Sequence, residues 1–589
     1  MSSNRQIRFA VSYKRDVGSK DDFDLAMLEL GALTDGRAVV CTAIEAANHL
    51  GLRVLPLVEG HQAFCIGEGT VDVLASLVRR LAFWDYVFCG ADDIPKPDCV
   101  SVDAAFLELG EVIAFATQSQ ILEWSAYARE SRGFNSALTG GGSIEDLKAL
   151  ASPTIDMAIK SSLTPASRRR NDYLTHGFHK YKAKFFPRLA RSLINFTCPQ
   201  SAGVVLDPYC GSGTTGVEAM LLGLECLQFD IDPLSVEIAN AKAQYKDVDV
   251  EAFHRVVLGL PKSLPNESLF THMPVHQYRI PAFLLERKPR HLTEAIRVEV
   301  EAEATAIRTL LDELQDASVR ALLRLCLSHA LATKISLRWM GTGDNRYALE
   351  VASRGLYQIF RTQAAYMMTK LGCVSALKQG CYLQHDGEAT ASVADCADIP
   401  LASESVDCVV TSPPYLPAAS GRETYLRSRA TSLVGLDLLT EEEIHERETR
   451  IVGSIMAEPG GSIPLPAAVE DLVRWMTPQR ERASKAQPTA AYFERLGASL
   501  AEMKRVLKPG GMIALVVSKE HMFYAMKSRE VLRRFSMVDS ISELATHPKF
   551  GIELVLQGVQ ELELPKMDFA ARPGSRGTYS EAILFFRKG

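Results

Sequence analysis

The sequence predicts an α/β protein built on a Rossmann-like parallel sheet, with a large helical insertion and a separate N-terminal α/β module. Three observations predict it. An apolar run, Gly203-Val204-Val205-Leu206, leads through a glycine-rich turn into a helical pattern at 214–223, and a second strand pattern, Glu225 to Phe229, closes a βαβ unit. Strand signals return much later, at Val406 to Val410, Met512 to Val517 and Glu581 to Phe586. Between them, residues about 283–372 are dominated by helical periodicity, as in Val319 to Ser336 and Tyr347 to Leu371.

The 589 residues are more than one ordinary core needs, and apolar (47%) and charged (23%) fractions are those of a soluble globular chain. Residues 1–150 read as their own module: strand patterns at Ile7 to Tyr13, Ala38 to Cys41, Arg53 to Val58 and Ala63 to Ile66 alternate with helical ones at Phe23 to Gly31 and Val71 to Phe83. Gly140-Gly141-Gly142 reads as a joint, and 151–170 as a basic linker ending in Arg168-Arg169-Arg170. From 171 to 589 one sheet is expected, interrupted at about 246–390 by the helical insertion, with a segment at about 417–490 that could recognise a target. No apolar run long enough to span a membrane occurs, and the first residues lack a signal core, so a cytoplasmic protein without a membrane partner is expected. The twelve cysteines include no C-x-x-C pair, which fits buried reduced thiols rather than a zinc ribbon. His176 and His179 form H-x-x-H without a further candidate ligand, and no metal is expected. A net charge of −6 leaves any nucleic-acid contact to a local basic face.

Two loops carry the chemistry. In Asp207-Pro208-Tyr209-Cys210-Gly211-Ser212-Gly213-Thr214-Thr215-Gly216, glycines follow a strand and precede a helix, so the backbone can turn sharply and approach a ligand. Asp230 ends the next strand, where a carboxylate accepts hydrogen bonds from ribose hydroxyls. A dinucleotide would satisfy these features too. Asp207 at the strand end, however, suits a cationic ligand better than an anionic pyrophosphate. In the second loop, Thr411-Ser412-Pro413-Pro414-Tyr415, a strand runs into a stiff Pro-Pro step with an aromatic behind it. Fixed carbonyl acceptors beside an aromatic face fit a planar base bearing an amino group.

Together these motifs resemble the amino-methyltransferases of nucleic acids, especially the DNA cytosine-N4 family, whose loops read D-P-F-x-G-S-G-T-T and [ST]-P-P-[YF]. The resemblance covers roughly 171–435 and 490–589. It implies a class I methyltransferase sheet, S-adenosylmethionine as cofactor, and transfer of its methyl group to an exocyclic amino group. Cytosine N4 in DNA is favoured, since Ser412 stands where the adenine-N6 branch has aspartate. It implies cofactor contacts from Asp207, Tyr209, Gly211, Gly213, Thr214 and Asp230, and from Asp395 and Cys396 where G-D-A touches adenine. His179 to Pro187 is similar to the family's H-x-Y-x-A-K-F-x-P segment, which gives Phe185 and Pro187 as walls of the methionine end. Arg505 to Gly511 resembles the late L-K-P-G-G turn. Ser412, Pro413, Pro414 and Tyr415 become the catalytic loop. Arg168, Arg169 and Arg170, together with Arg422, Arg427 and Arg429 after that loop, are candidate phosphate contacts.

The N-terminal stretch (Asp22 to Leu30, Leu74-Ala75, Arg79 to Phe83) is similar to the N-terminal domain of tRNA guanine-N2 methyltransferases that carry THUMP domains. RNA thus stays open as the substrate, as against DNA methylation with a place in restriction-modification. A nucleic-acid-binding protein with a degenerate site is disfavoured by the intact motifs. An NAD oxidoreductase leaves Ser412 to Tyr415 unexplained.

Overall fold

The computed structural model describes residues 5–13, 21–57, 61–94, 106–128, 172–181, 184–264, 277–286, 292–339, 347–379, 383, 387–416, 425–460, 463–480, 482–525, 530–564 and 579–589. The predicted joint at Gly140 to Gly142 and the basic linker 151–170 lie outside them.

The first six strands, β1 (Ile7–Tyr13), β2 (Val39–Cys41), β3 (Ala63–Gly69), β4 (Tyr86–Gly90), β5 (Phe106–Leu109) and β6 (Val112–Ala116), form one sheet in the order β2-β3-β1-β4-β6-β5. Every pairing in it is antiparallel. The strand expected over Arg53 to Val58 does not form: Val54 is exposed, and Leu57 turns the chain with φ +60°.

Nor is this sheet a separate body. Ile7, Phe9 and Trp84 share one apolar core with Leu189, Val205 and Cys408 of the larger sheet and its covering helix. Buried polar groups seal the joint. Arg80 donates to Asn195 Oδ1 (3.1 Å) and to the Cys198 and Gln200 carbonyls (2.6 Å each). Glu29 accepts from the Ala82 and Phe83 amides and from Asn195 Nδ2. Such groups are costly to bury unless paired, so they fix the docking geometry.

The larger sheet begins with β7 (Val204–Asp207) and β8 (Glu225–Asp230) around the helix Thr214–Leu221. The helix Pro233–Ala243 follows, then the insertion with helices Val250–Gly259, Glu294–Asp312, Ala317–Lys334 and Leu356–Gln379; together they enclose a second core to which Leu426, Leu433 and Ile444 also contribute. Within the insertion, β9 (Ile335–Trp339) and β10 (Tyr347–Val351) make an antiparallel hairpin, so the helix expected from Tyr347 starts only at Leu356. The chain returns as β11 (Glu388–Val393), β12 (Val406–Thr411) and β13 (Leu507–Ser518), adds a small hairpin of β14 (Glu520–Tyr524) and β15 (Val531–Ser536), and ends with β16 (Val555–Leu564) and β17 (Tyr579–Arg587). The order is β11-β8-β7-β12-β13-β17-β16, with β17 antiparallel to the parallel strand β13 beside it. This is the class I methyltransferase arrangement anticipated from the sequence. Strand order reverses between β7 and β12, so a crevice opens beyond their carboxyl ends. Asp207 and Thr411 are the last residues of those two strands.

Among the described residues no helix is long and apolar enough to cross a membrane.

Candidate active site

The glycine turn is drawn onto β8 by its own backbone. The Cys210 amide donates to the Phe229 carbonyl (2.9 Å), and the Gly213 amide to the Cys210 carbonyl (2.8 Å). Gly211 (φ +49°) and Gly213 (φ +70°) take left-handed conformations. A Cβ on Gly213 would lie 2.7 Å from the Ala239 Cα, so only glycine fits there. The turn delivers the chain to the helix start, where the Thr214 hydroxyl is buried with no hydrogen-bond partner among the described residues. An orphaned hydroxyl beside free helix amides is a place for a polar ligand to bond.

Carboxylates line the same ledge. Asp207, only 2% exposed, accepts from the Thr411 hydroxyl (2.6 Å) and the Tyr209 amide (3.2 Å), which ties β7 to β12. Its burial raises its pKa. Half-buried Asp230 accepts from the Gly211 and Asp232 amides (both 2.9 Å). Burial, and then the negative charge of Asp232, push its pKa up to about 7. Asp232 in turn caps the helix Pro233–Ala243 through the Leu234 amide.

Tyr181 and Arg429 close over this ledge. The Tyr181 ring lies 3.3 Å from where a Cβ on Gly211 would be, and its hydroxyl meets Ser235 Oγ (2.9 Å). Arg429 stacks on the Tyr181 ring (4.1 Å to the centroid) and pairs with Asp232. Arg429 is therefore turned inward as the counter-charge of the cofactor loop, not outward toward phosphates. Phe185 and Pro187 also depart from expectation. Phe185 packs against the core shared with the first sheet, and Pro187 opens the helix Pro187–Thr197, so Tyr181 is the member of that motif that reaches the turn. The spacing H-x-Y was the available signal for it.

Beyond β11, Asp395 accepts from the Ala397 amide (3.0 Å) and pairs with Arg450 (2.9 Å). Together with Ile231, Arg447 and Arg450 it lines a cleft of about 290 Å³. Arg447 donates to the Ile231 carbonyl (3.3 Å). Cys396 is half-buried, and burial pushes its thiol up to about 12, which disfavours the thiolate. The buried Tyr209 hydroxyl lies against the Cys396 and Ser499 side chains.

The second loop leaves β12 beside this ledge. The Ser412 hydroxyl donates to the Val516 carbonyl (3.2 Å), so its lone pairs are left to accept. The Tyr415 hydroxyl donates to Glu581. Gly453 (φ +83°) braces the loop from outside, since a Cβ there would sit 2.8 Å from the Tyr415 carbonyl and 3.0 Å from Pro414 Cβ. Arg427 stacks on Phe283 (4.4 Å) at a cleft it shares with Glu441 and Glu442. Arg168, Arg169, Arg170 and Arg422 lie outside the described residues.

The two histidines diverge. His176 meets Glu218 (2.7 Å) and His179 meets Ser328 (3.0 Å), and burial lowers the pKa of both to about 3. No metal-ligating cluster occurs among the described residues.

The sequence matches a family model described as DNA methylase, for N6 and N4 methyltransferases, over residues 153–241. It is 30% identical over 124 residues to the type II methyltransferase M.MjaII of Methanocaldococcus jannaschii, covering 19% of this chain and 22% of that one. A tRNA (guanine(10)-N2)-dimethyltransferase of Methanothermobacter thermautotrophicus is 34% identical over 65 residues, 11% of this chain and 19% of the other. The chain spans less than a quarter of the length of either relative. A crystal structure of a SAM-dependent methyltransferase from Methanosarcina mazei aligns at 9% identity and TM-score 0.24, over 66% of this chain and 93% of that one. The strand order is that of a class I sheet, and the family match falls on its first strands, the glycine turn and the helices beside them. The chain is similar over these stretches to amino-methyltransferases of nucleic acids.

Proposed function

We propose that this protein methylates the exocyclic amino group of a nucleic-acid base, with N4 of cytosine in DNA as the leading substrate. The observation that carries it is the Asp207–Thr411 hydrogen bond, which sets the cofactor turn and the Ser412-Pro413-Pro414-Tyr415 loop side by side at one end of the sheet. When bound, S-adenosylmethionine would supply an electrophilic methyl group to the amino nitrogen, leaving as the thioether, with the nitrogen's proton passing to water. Asp230 is suited to the ribose hydroxyls, Asp207 and the Gly211–Gly213 backbone to the methionine end, and the cleft at Ile231 and Asp395 to the adenine.

The amino nitrogen of a base is a poor nucleophile because its lone pair is delocalised into the ring. The Ser412 hydroxyl, already committed as a donor to Val516, and the Pro413 carbonyl would accept its two N–H bonds and localise that lone pair. Tyr415 would stack the base, which in a duplex must first be flipped out. The DNA reading carries with it a place in restriction-modification. The second reading is a tRNA or rRNA base-amino methyltransferase, favoured by the similarity to the archaeal tRNA enzyme. Phosphate contacts from Arg168 to Arg170, Arg422 and Arg427 belong to either proposal.

Residues 1–150 cannot be deleted to separate the two, because their sheet shares its core with β7 and β12. The test therefore uses the full chain with methyl-labelled cofactor, DNA and RNA in parallel, and nucleoside mass spectrometry. Labelled N4-methylcytosine from DNA supports the lead. Label in RNA nucleosides alone replaces it with the second reading.

A further inference from the structure

One carboxyl at the base loop has no place in the chemistry above. Glu581, half-buried at the start of β17, takes the Tyr415 hydroxyl on Oε1. Among the described residues no lysine, arginine or histidine pairs with it, and its second oxygen has no partner there. In the β13–β17 ladder Glu581 stands opposite Ser518, two residues beyond the Val516–Ile583 pair. Val516 is the residue whose carbonyl anchors Ser412. Two residues of strand span about 7 Å, so Ser412 and Glu581 are offset by about that much along β13, on its two sides, with the Tyr415 hydroxyl joined to Glu581.

We infer that Glu581 is a specificity-determining residue that reads the ring nitrogen next to the methylated amino group, with Tyr415 fixing its orientation. This rests on the amino-methyltransferase reading. Burial without a nearby cation raises the pKa of this carboxyl, while the Tyr415 hydrogen bond lowers it; in its protonated form the group is a hydrogen-bond donor. An acid can donate to the bare ring nitrogen beside an amino group, N3 of cytosine, while Ser412 and Pro413 accept from the amino group itself. Uracil and thymine carry N–H at that ring position and would meet a donor with a donor.

The test removes one atom from each side of the contact. Random-sequence duplex libraries are made with cytosine or with 3-deazacytosine in one strand, and methyl transfer from labelled S-adenosylmethionine is followed for wild type, Glu581→Ala and Glu581→Gln. Wild type should be about tenfold or more slower on the deaza library, the loss expected for one buried hydrogen bond. Glu581→Ala should show that loss already on cytosine and no further loss on 3-deazacytosine. Glu581→Gln, which keeps an N–H donor, should stay within a few-fold of wild type on cytosine. Calorimetric cofactor affinity should be unchanged throughout. Equal wild-type rates on both libraries overturn the inference even where no variant folds, as does an equal slowing of both libraries by Glu581→Ala. A wild type that labels no cytosine library at all instead overturns the function on which the inference rests.

Discussion

The proposed cofactor half and base half of the crevice share the ends of β7 and β12 but are held by different forces. The cofactor half is a row of carboxylates, Asp207, Asp230, Asp232 and Asp395, kept in place by backbone amides and by Arg429 and Arg450 from a segment about 200 residues away from Asp232. The base half is neutral apart from Glu581: a serine, two prolines and a tyrosine, set by ladder carbonyls and the packing of Gly453. Charge arranges the first and shape the second. The first half should therefore respond to pH and to lost counter-charges, the second to lost surface.

The largest effect that sharpens this contrast is expected at Arg429. Removing one member of a buried, hydrogen-bonded ion pair strands the other charge, which costs about 3–5 kcal/mol. Arg429→Ala should lower unfolding stability by that order in denaturant titration, because Asp232 and neighbouring Asp230 lose their shared cation. A loss under about 1 kcal/mol would show that the clasp is an ordinary surface pair.

Asp230 comes next. Folding favours its protonated form, so its contribution to stability is full below the ordinary carboxylate range and is lost as pH rises toward about 7. A ligand that donates hydroxyl hydrogens to the ionised carboxylate behaves oppositely. S-adenosylmethionine affinity should therefore strengthen between about pH 6 and 8. Asp230→Asn should flatten that slope and weaken binding by about 1–3 kcal/mol at pH 8. Calorimetry showing the same slope in both proteins removes Asp230 from the site.

On the base side, Tyr415→Ala should cost about 1–3 kcal/mol of stacking. The loss should fall on methyl transfer, with cofactor affinity kept within a few-fold. Parallel loss of cofactor binding would mean the two halves are one mechanical unit.

How much of this could be read in the sequence follows the same division. The βαβ unit and the Ser412 to Tyr415 loop were legible because each is a short run whose residues act on near neighbours: apolar strand, glycine at positive φ, helix start, proline step. Strand β11 was not, since Glu388 to Val393 (EATASV) is an edge strand with one strand partner and buries mainly Ala391. The Tyr347 to Val351 segment has helical periodicity but pairs with β9, a long-range choice that propensity does not see. The clasp was invisible for the same reason. Arg429 looked like one of three basic residues after a catalytic loop, and only the fold brings it to Tyr181 and Asp232.

The smallest effect is expected at Arg450, and it tests the contrast from within the cofactor half. Arg450 and Arg429 come from one segment and each pairs with a carboxylate of the ledge, so sequence and charge alone would rank them equal. Their surroundings differ. The Arg450 side chain is 51% exposed against 20% for Arg429, and it has no aromatic ring beneath it among the described contacts. Asp395 also keeps its bond from the Ala397 amide, so the turn after β11 stays formed without the arginine. An exposed pair of this kind is worth about 0–1 kcal/mol and is screened by salt. Arg450→Ala should thus change S-adenosylmethionine affinity by no more than about fivefold in low salt, and the difference from wild type should shrink toward zero near 0.5 M salt, as an order of magnitude. Arg429→Ala should also weaken S-adenosylmethionine binding, and that loss should persist across the same series, because its pair is the more buried of the two. If both variants lose affinity equally and salt erases both losses, burial is not what separates the two arginines, and the cofactor half is held by surface charge throughout.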